Sequence, residues 1–316
     1  METNIQHRTR QKTTVETPKP LVSVSIVTYN QEQYIRQTLD SVLAQKTDFP
    51  FEIVIGEDGG SDQTRNICLM YAQVHPSVIR VLETPHNLGP VPNFMRTIRA
   101  TKGKYIALLD GDDYWIDPQK LQKQVDLLEN DEKMSLCFTG RKNYDENSAT
   151  FESVHEDTHT DRFYLNDFAQ KTYFHTSTVM LRKPENDAWI DRLAGFKIGD
   201  RPLYLSVLFE QKGYAYKMKD ICSVFRVNDN SFFTPTKPLE RSVLVADMYA
   251  QLKALYPHLA QHFNHHINIS DYFIMRDAYR KKDKVAVQKL RNQILNRPTK
   301  AVGWWLKSKT FLHYLR

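Results

Sequence analysis

Residues 104–115, KYIALLDGDDYW, decide how this chain is read. An apolar run, Tyr105 to Leu109, breaks into Asp110, Gly111, Asp112 and Asp113. A continuous apolar run bounded by a turn reads as a strand buried on both faces. In an open parallel sheet, ligands bind beyond the carboxyl ends of the strands, so the acidic cluster stands where a ligand belongs. Three carboxylates at one strand end repel one another unless positive charge neutralises them. A hard divalent cation with oxygen ligands does so and keeps coordination positions for phosphate oxygens. Gly111 lets the backbone turn tightly and lets a ligand come close. The plainer alternative is a solvated acidic turn that caps the helix starting near Pro118. Asp117-Pro118 is a good cap and first-turn pair, which accounts for Asp117 but not for three acids directly after a buried strand.

Outward from this stretch, strands and helices alternate. Leu21–Thr28 is rich in β-branched residues and reads as a first strand, and Gln31–Gln45 follows with helical spacing. Phe51–Gly56 is a second strand, ending in Glu57-Asp58-Gly59-Gly60-Ser61-Asp62, and Thr64–Val74 is helical. Val78–Leu82 is a short third strand and Pro92–Ala100 a helix. Alternation at this spacing means βαβ units and a parallel sheet with right-handed crossovers. The polar ends of the first, second and fourth strands then share one edge, and a nucleotide can lie across it. Asp58 would accept from a base N–H, backbone around Tyr29 would frame the base, Asp110 would reach the ribose and Asp112 would hold a cation on the diphosphate. Asp62 is expected to cap the following helix, leaving Asp58 free for ligand.

The segments VSIVTYNQEQYIRQTLDSVLAQ, EIVIGEDGGSDQT, NLGPVPN and GKYIALLDGDDYWIDPQKLQKQ resemble family 2 glycosyltransferases of the GT-A fold. The resemblance is dense from Val22 to Leu128 and keeps the family's motif order. It implies an α/β, Rossmann-like catalytic domain with a mostly parallel sheet over 21–235. Residues 21–128 would be its nucleotide-sugar half and 129–235 its acceptor half. A flexible lead-in (1–20) and a helical, basic extension (236–316) flank it. The implied reaction is metal-dependent, inverting transfer of a sugar from a nucleotide-sugar, with UDP as the nucleotide and Mg2+ or Mn2+ as cofactor. The implied acceptor is a hydroxyl on a glycan or lipid-linked glycan. Carried over by position, Thr28, Tyr29, Glu32, Asp58, Asn87, Asp110 and Gly111 bind the donor, and Asp110 and Asp112 the metal. Glu57-Asp58 departs conservatively from the family's more usual pair of aspartates. The chain has no Walker-type or GxGxxG loop, which fits phosphates handled by a metal.

Beyond the acidic stretch, Met134–Thr139 reads as a fifth strand and Arg141–Arg162 as a long polar loop near the site. His155-Glu156-Asp157-Thr158-His159 matches the zinc-protease pattern only formally, since no apolar stripe flanks it. His175–Arg182 reads as another strand, in the acceptor half. Asp200 precedes a helix that runs to about Gln211. It serves as an ordinary cap beside Pro202 or, as the resemblance implies, as the base that takes the acceptor's proton; the two roles are compatible. Tyr214–Lys219 and Cys222–Val227 read as two short strands. Arg226 is expected to pair with the diphosphate, and Asn228 stands where the family often has histidine.

From Leu239 the pattern is helical, with Val243, Ala246, Leu252, Tyr256 and Leu259 on an apolar stripe. His258, His262, His265 and His266 lack acidic or cysteine partners and read as a solvated face. From Arg280 onward the chain carries eleven Lys/Arg and one acid, Asp283. The first twenty residues carry four Lys/Arg and two Glu, so residues 21–279 are net −6 although the whole chain is +6. A basic tail on an acidic body suits an anionic surface. Trp304, Trp305, Phe311, Leu312 and Leu315 beside Lys307 and Lys309 suit an interfacial helix on an anionic leaflet equally with a helix docked on the core. No apolar run approaches the ~20 residues that span a bilayer, and the polar N-terminus is not a secretory signal. Cys68, Cys137 and Cys222 fit neither a disulfide framework nor a metal site. Together these make the cytoplasm the expected compartment, with a peripheral position on the membrane's inner face left open. Three alternatives stay open: a nucleotidyltransferase, a nucleic-acid binder using the basic tail, and a non-catalytic glycan-binding relative. The first lacks a triphosphate loop over Val22–Asn30, and no specific nucleic-acid partner is expected.

Overall fold

The computed structural model describes residues 19–84, 86–154, 160–227 and 238–298. The zinc-protease-like His155–His159, Asn228, the aromatic stripe beyond Pro298 and all but the end of the N-terminal lead-in lie outside the described residues.

In chain order the elements are β1 (Val22–Thr28), α1 (Ile35–Leu43), β2 (Phe51–Glu57), α2 (Thr64–Val74), β3 (Ile79–Val81), α3 (Pro90–Arg99) and β4 (Tyr105–Asp110). Then follow β5 (Tyr114–Trp115), α4 (Lys120–Asn130), β6 (Met134–Asp145), β7 (Thr150–Val154), β8 (Arg162–Phe163) and α5 (Leu165–Gln170). The chain continues with β9 (Val179–Arg182), α6 (Ala188–Asp191), α7 (Asp200–Gln211), β10 (Tyr214–Val227), α8 (Pro238–Leu255), α9 (Ala260–Arg280) and α10 (Lys284–Asn296).

Among the described residues all ten strands belong to one sheet, whose main path is β3-β2-β1-β4-β9-β6-β10-β5. The β3-β2-β1-β4 half is parallel, whereas β9 runs antiparallel to both β4 and β6. β4 is buried on both faces, as its apolar run requires. Ile106 and Leu108 join one core with α3, α7, α8 and α9, and Tyr105, Ala107 and Leu109 join the other with α1, α2 and α4. Of the apolar positions at helical spacing, Ile35, Leu39 and Val42 are fully buried in α1, while Tyr34 and Leu43 are half-buried at its ends.

Four sequence expectations are corrected. The polar stretch after Met134–Thr139 is not simply a loop: β6 continues to Asp145 and pairs antiparallel with β7, Arg141↔Val154 through Asp145↔Thr150. Solvent reaches both faces of this hairpin, so its residues alternate in no apolar pattern. Tyr214–Val227 is one strand rather than two, because β10 absorbs its polar middle in register shifts near Ile221 against β6. Only Val179–Arg182 of the expected 175–182 strand is extended, and Thr176–Thr178 is a 3-10 turn. In α8, the expected apolar position Val243 is 49% exposed, and Met248, Tyr249 and Leu252 are the buried face.

The C-terminal helices share one core with the sheet and the helices that pack on it. Leu252, Tyr256, Leu259 and Phe263 are essentially fully buried and cluster with Trp189, Leu203 and Val207. Leu252→Ala should therefore cost about 2–5 kcal/mol and lower a single cooperative denaturant transition followed by tryptophan fluorescence. A separate early transition that leaves the main one unmoved would show an independent extension.

Candidate active site

Strand register builds the site. β1 pairs with β2 so that Thr28 lies opposite Glu57, and with β4 so that Val27 lies opposite Asp110. The carboxyl ends of the three strands are thus level at one edge. Asp58 N donates to Thr28 O (3.1 Å) and Gly111 N to Val27 O (2.9 Å), carrying the pairing one residue past the strands.

The turn at the end of β4 is held from beneath. Asp113 N donates to Asp110 O (3.1 Å), and the Thr38 hydroxyl lies 2.8 Å from Gly111 O and 2.7 Å from Asp113 O. Gly111 is required here by crowding. A Cβ at this position would come within 2.5 Å of both Thr28 Oγ1 and Gln31 Oε1. What comes close to Gly111 is therefore the Thr28–Gln31 pair, joined at 2.7 Å.

The loops after β1 and β2 are clasped together. Glu32 N donates to Asp62 Oδ2 (3.0 Å), Gln63 N to Glu32 Oε2 (2.8 Å) and Ser61 N to Asn30 Oδ1 (2.8 Å). Asp62 Oδ1 takes Thr64 N–H (2.9 Å) at the start of α2, as expected of a capping residue. Asp58 is buried, and its two oxygens accept from Leu88 N and Gly89 N (2.9 Å each), so it fixes the loop that carries Asn87. Asp58 is therefore not free as expected, although each oxygen keeps acceptor capacity. Asn87 Oδ1 accepts from Gly89 N (2.9 Å), and Tyr29 is 49% exposed at the rim.

The carboxylates converge across this edge. Burial, then the negative charges of Asp112 and Asp200, pushes Asp110 up to about 7. Asp200, the first residue of α7, is itself raised by burial. Asp110, Asp113 and His175 bring one ligand atom each within 4.8 Å of one another. Asp112 is not in that group, but its charge is felt by Asp110, Asp113 and Tyr34. On sequence alone Asp113 has no role of its own within the acidic stretch and His175 reads as part of a strand, so this grouping is visible only in the structure. The residues fit a divalent cation: the carboxylates are crowded and buried, and Asp113 Oδ2 has no hydrogen-bond partner.

Arg226 is 8% exposed and already engaged. It bonds Gln37, lies 3.5 Å from Glu146 and stacks over Tyr34 and Tyr114 at 5.2 and 4.8 Å. Its backbone N–H donates to Asp113 Oδ1 (3.1 Å). Arg226 thus ties the β6–β7 hairpin to the acidic turn, in an aromatic setting that suits guanidinium.

Three comparisons bear on this geometry. The family model for glycosyl transferase family 2 matches residues 23–189, more than half of the chain. The chain belongs to the family 2 glycosyltransferases. An uncharacterized Mycobacterium tuberculosis protein is 42% identical over 117 residues, 37% of this chain and 34% of that protein. The chain thus matches about a third of the length of that curated relative. The Bacillus subtilis protein named for teichuronic acid biosynthesis, glycosyltransferase TuaG, is 29% identical over 215 residues, covering 67% of this chain and 81% of its own. Among solved structures, Staphylococcus aureus TarS 1–349 in complex with UDP-GlcNAc superposes with a TM-score of 0.61 at 17% identity, covering 88% of this chain and 81% of its own. The mannosyltransferase PcManGT from Pyrobaculum calidifontis, with GDP-Man and Mn2+, gives 0.53 at 17%, covering 94% and 86%. The fold of this family 2 chain is therefore GT-A.

Beneath the site lies a buried lysine. Lys120 Nζ donates to Gln124 Oε1 (2.8 Å) and sits 4.2 Å from the Trp115 ring, whose Nε1 donates to Ser177 O (2.8 Å). Burial pushes Lys120 down to about 8, while the indole face favours its charge. In the unfolded chain lysine titrates near ~10.4. The folded state therefore carries no penalty above that pH, a growing one as pH falls toward 8, and the full one below. Lys120→Met removes this dependence. Relative to wild type, its urea stability should be about 3 kcal/mol more favourable at pH 7 than at pH 10.5, offset at both by unpaired Gln124. A difference that does not change with pH would contradict the assignment.

Proposed function

We propose that this family 2 chain transfers a sugar from a UDP-sugar to an acceptor hydroxyl with inversion. The observation that carries the reading is the facing of two acidic elements: the β4 end, aligned with β1 and β2, and Asp200 at the start of α7, close enough for its charge to raise Asp110. Thr28, Tyr29, Glu32, Asp58, Asn87 and Gly111 frame the nucleotide end of the donor. Asp58, Glu32 and Gly111 do so chiefly by holding the loops and the turn in place.

The acidic turn of Asp110, Asp112 and Asp113 would hold Mg2+ or Mn2+, which supplies positive charge for the leaving diphosphate. Arg226 would add its charge nearby once displaced from Glu146. Asp200 takes the proton from the acceptor hydroxyl as that oxygen bonds to the sugar's anomeric carbon and the bond to diphosphate breaks. Burial raises Asp200 and so strengthens it as a base. A carboxylate facing the diphosphate-holding turn suits single displacement, in which entering and leaving groups lie on opposite sides of the sugar.

The acceptor we infer is a glycan on a lipid carrier, met at the cytoplasmic face of a membrane. The exposed Arg280, Lys281, Lys282, Lys284 and Lys289 support contact with anionic headgroups. Among the described residues no helix is long and apolar enough to cross a membrane.

Asp200→Asn tests the assignment of the base. UDP affinity in Mn2+, measured by calorimetry, should stay near wild type. UDP release across a panel of UDP-sugars should fall by about 10²–10⁴-fold. Wild-type release by that variant would refute the role.

A further inference from the structure

We propose that a lysine-lined cavity at the sheet edge opposite the acidic turn is a second binding site, for the phosphate group of a phosphate ester. The inference is independent of the sugar-transfer reading and of its cation.

Four lysines, Lys19, Lys102, Lys104 and Lys183, and a single carboxylate, Glu185, line a cavity of about 470 Å³. Strand register gathers them. β9 runs antiparallel to β4, so its end at Arg182 lies opposite the start of β4 at Tyr105. Lys183 N donates to Lys104 O (2.9 Å) and Tyr105 N to Leu21 O (3.0 Å), which brings Lys183, Lys104 and the residues before β1 together. The 6 residues of β4 separate this edge from the acidic turn, roughly 20 Å at the rise of a strand.

The loop that carries Lys102 is fixed. Lys102 N donates to Glu52 Oε1 (2.7 Å) and Gly103 N to Ser23 Oγ (2.8 Å). A Cβ at Gly103 would come within 2.6 Å of Ser23 N, so the loop lies directly on β1.

The ammonium charges at this edge are poorly matched. Lys104 donates to both oxygens of Glu129 (2.7 and 2.8 Å), and Lys183 donates to Thr101 O (2.7 Å). Lys19 and Lys102 are exposed, and among the described residues neither ammonium makes an ion pair or hydrogen bond. Glu185 pairs with none of the four lysines. Burial lowers Lys183 and the charge of Lys19 pushes the same way, while Asp187 and Glu52 pull against them. Ammonium groups gathered in this way repel, and an anion among them relieves that repulsion.

The chemistry favours phosphate. Lysine binds it as a point charge with three rotatable donors, whereas a planar carboxylate is matched by the fork of arginine. Lysines from three separate chain segments can approach a tetrahedral oxyanion from different sides. The volume is that of a small-molecule pocket, with room for the group that the phosphate esterifies.

The test is calorimetric titration of the full chain with pyrophosphate, at low ionic strength and in excess chelator so that no metal occupies the acidic turn. Wild type should show saturable binding. Lys19→Gln combined with Lys102→Gln should weaken it about tenfold or more. Both side chains are exposed and unbonded, so this variant should melt with the wild type. Asp110→Asn should leave the affinity unchanged. So should Lys284→Gln combined with Lys289→Gln, which removes the same charge from an exposed surface elsewhere. No saturable binding in wild type overturns the proposal, as does unchanged affinity in the Lys19/Lys102 variant. Equal weakening by the Lys284/Lys289 control also overturns it, because it marks non-specific attraction. Pelleting with phosphatidylglycerol vesicles, against phosphatidylcholine alone, names the source of the phosphate. Pelleting lost in the Lys19/Lys102 variant assigns it to a lipid headgroup, and pelleting unchanged assigns it to a soluble ester.

Discussion

Mutual repulsion among carboxylates gathered at the end of one buried strand is the constraint on which the rest of this structure depends. Asp110, Asp112 and Asp113 cannot relax away from one another, because the turn that carries them is fixed on every side. β1 takes the Gly111 N–H, Thr38 meets two of the turn's carbonyls, and the Thr28–Gln31 pair fills the space where any side chain at residue 111 would go. The sheet therefore holds a concentrated negative charge in a partly dry edge, where the effective dielectric is low and charge matters more than in water. A cation at that edge would relieve the repulsion, which is the role the proposed reading gives it.

The surrounding elements make sense as supports for that turn. Arg226 reaches it through its backbone and joins the β6–β7 hairpin to it through Glu146. Lys120, Trp115 and Gln124 form a buried bracket under residues 175–178, with Gln124 Nε2 donating to Thr178 O at 3.0 Å. On the far side, Arg201 follows Asp200 and bonds Thr172 and the Tyr249 hydroxyl, so the first turn of α7 is anchored to α8. Tyr249 in turn stacks on His266, ring centroids 4.3 Å apart. The C-terminal helices, which look like an appendage in the sequence, thus brace the helix that presents the acid opposite the turn.

Much of this was legible in the residues. The strand at Tyr105–Leu109 announced itself because burial on both faces demands a continuous apolar run, and its polar end followed from sheet geometry. Helical spacing gave α1 because its buried face is a simple stripe. What escaped has two causes. The β6–β7 hairpin pairs residues close in sequence but is wet on both faces, so no apolar alternation marks it. The joined β10 and the 3-10 turn at Thr176–Thr178 are held by partners distant in sequence, so local pattern carries no trace of them. The same holds for the side chains: that Asp58 fixes the 87–89 loop, that Glu32 clasps the start of α2, and that His175 faces Asp113 depend on contacts about 30 or more residues apart. Lys120, a helix residue with no assigned role in the sequence, is fully buried. An amphipathic count cannot distinguish a lysine on a wet face from one under an indole ring.

The central claim is that the sheet-edge carboxylates grip the donor's diphosphate through a cation. The most direct measurement is the calorimetric affinity for UDP with Mn2+ and with excess chelator, in wild type and in Asp110→Asn. The account predicts tight binding only in the wild type with metal, weakened tenfold or more (about 1.4 kcal/mol) by either change. UDP affinity that ignores both the chelator and the substitution would contradict it.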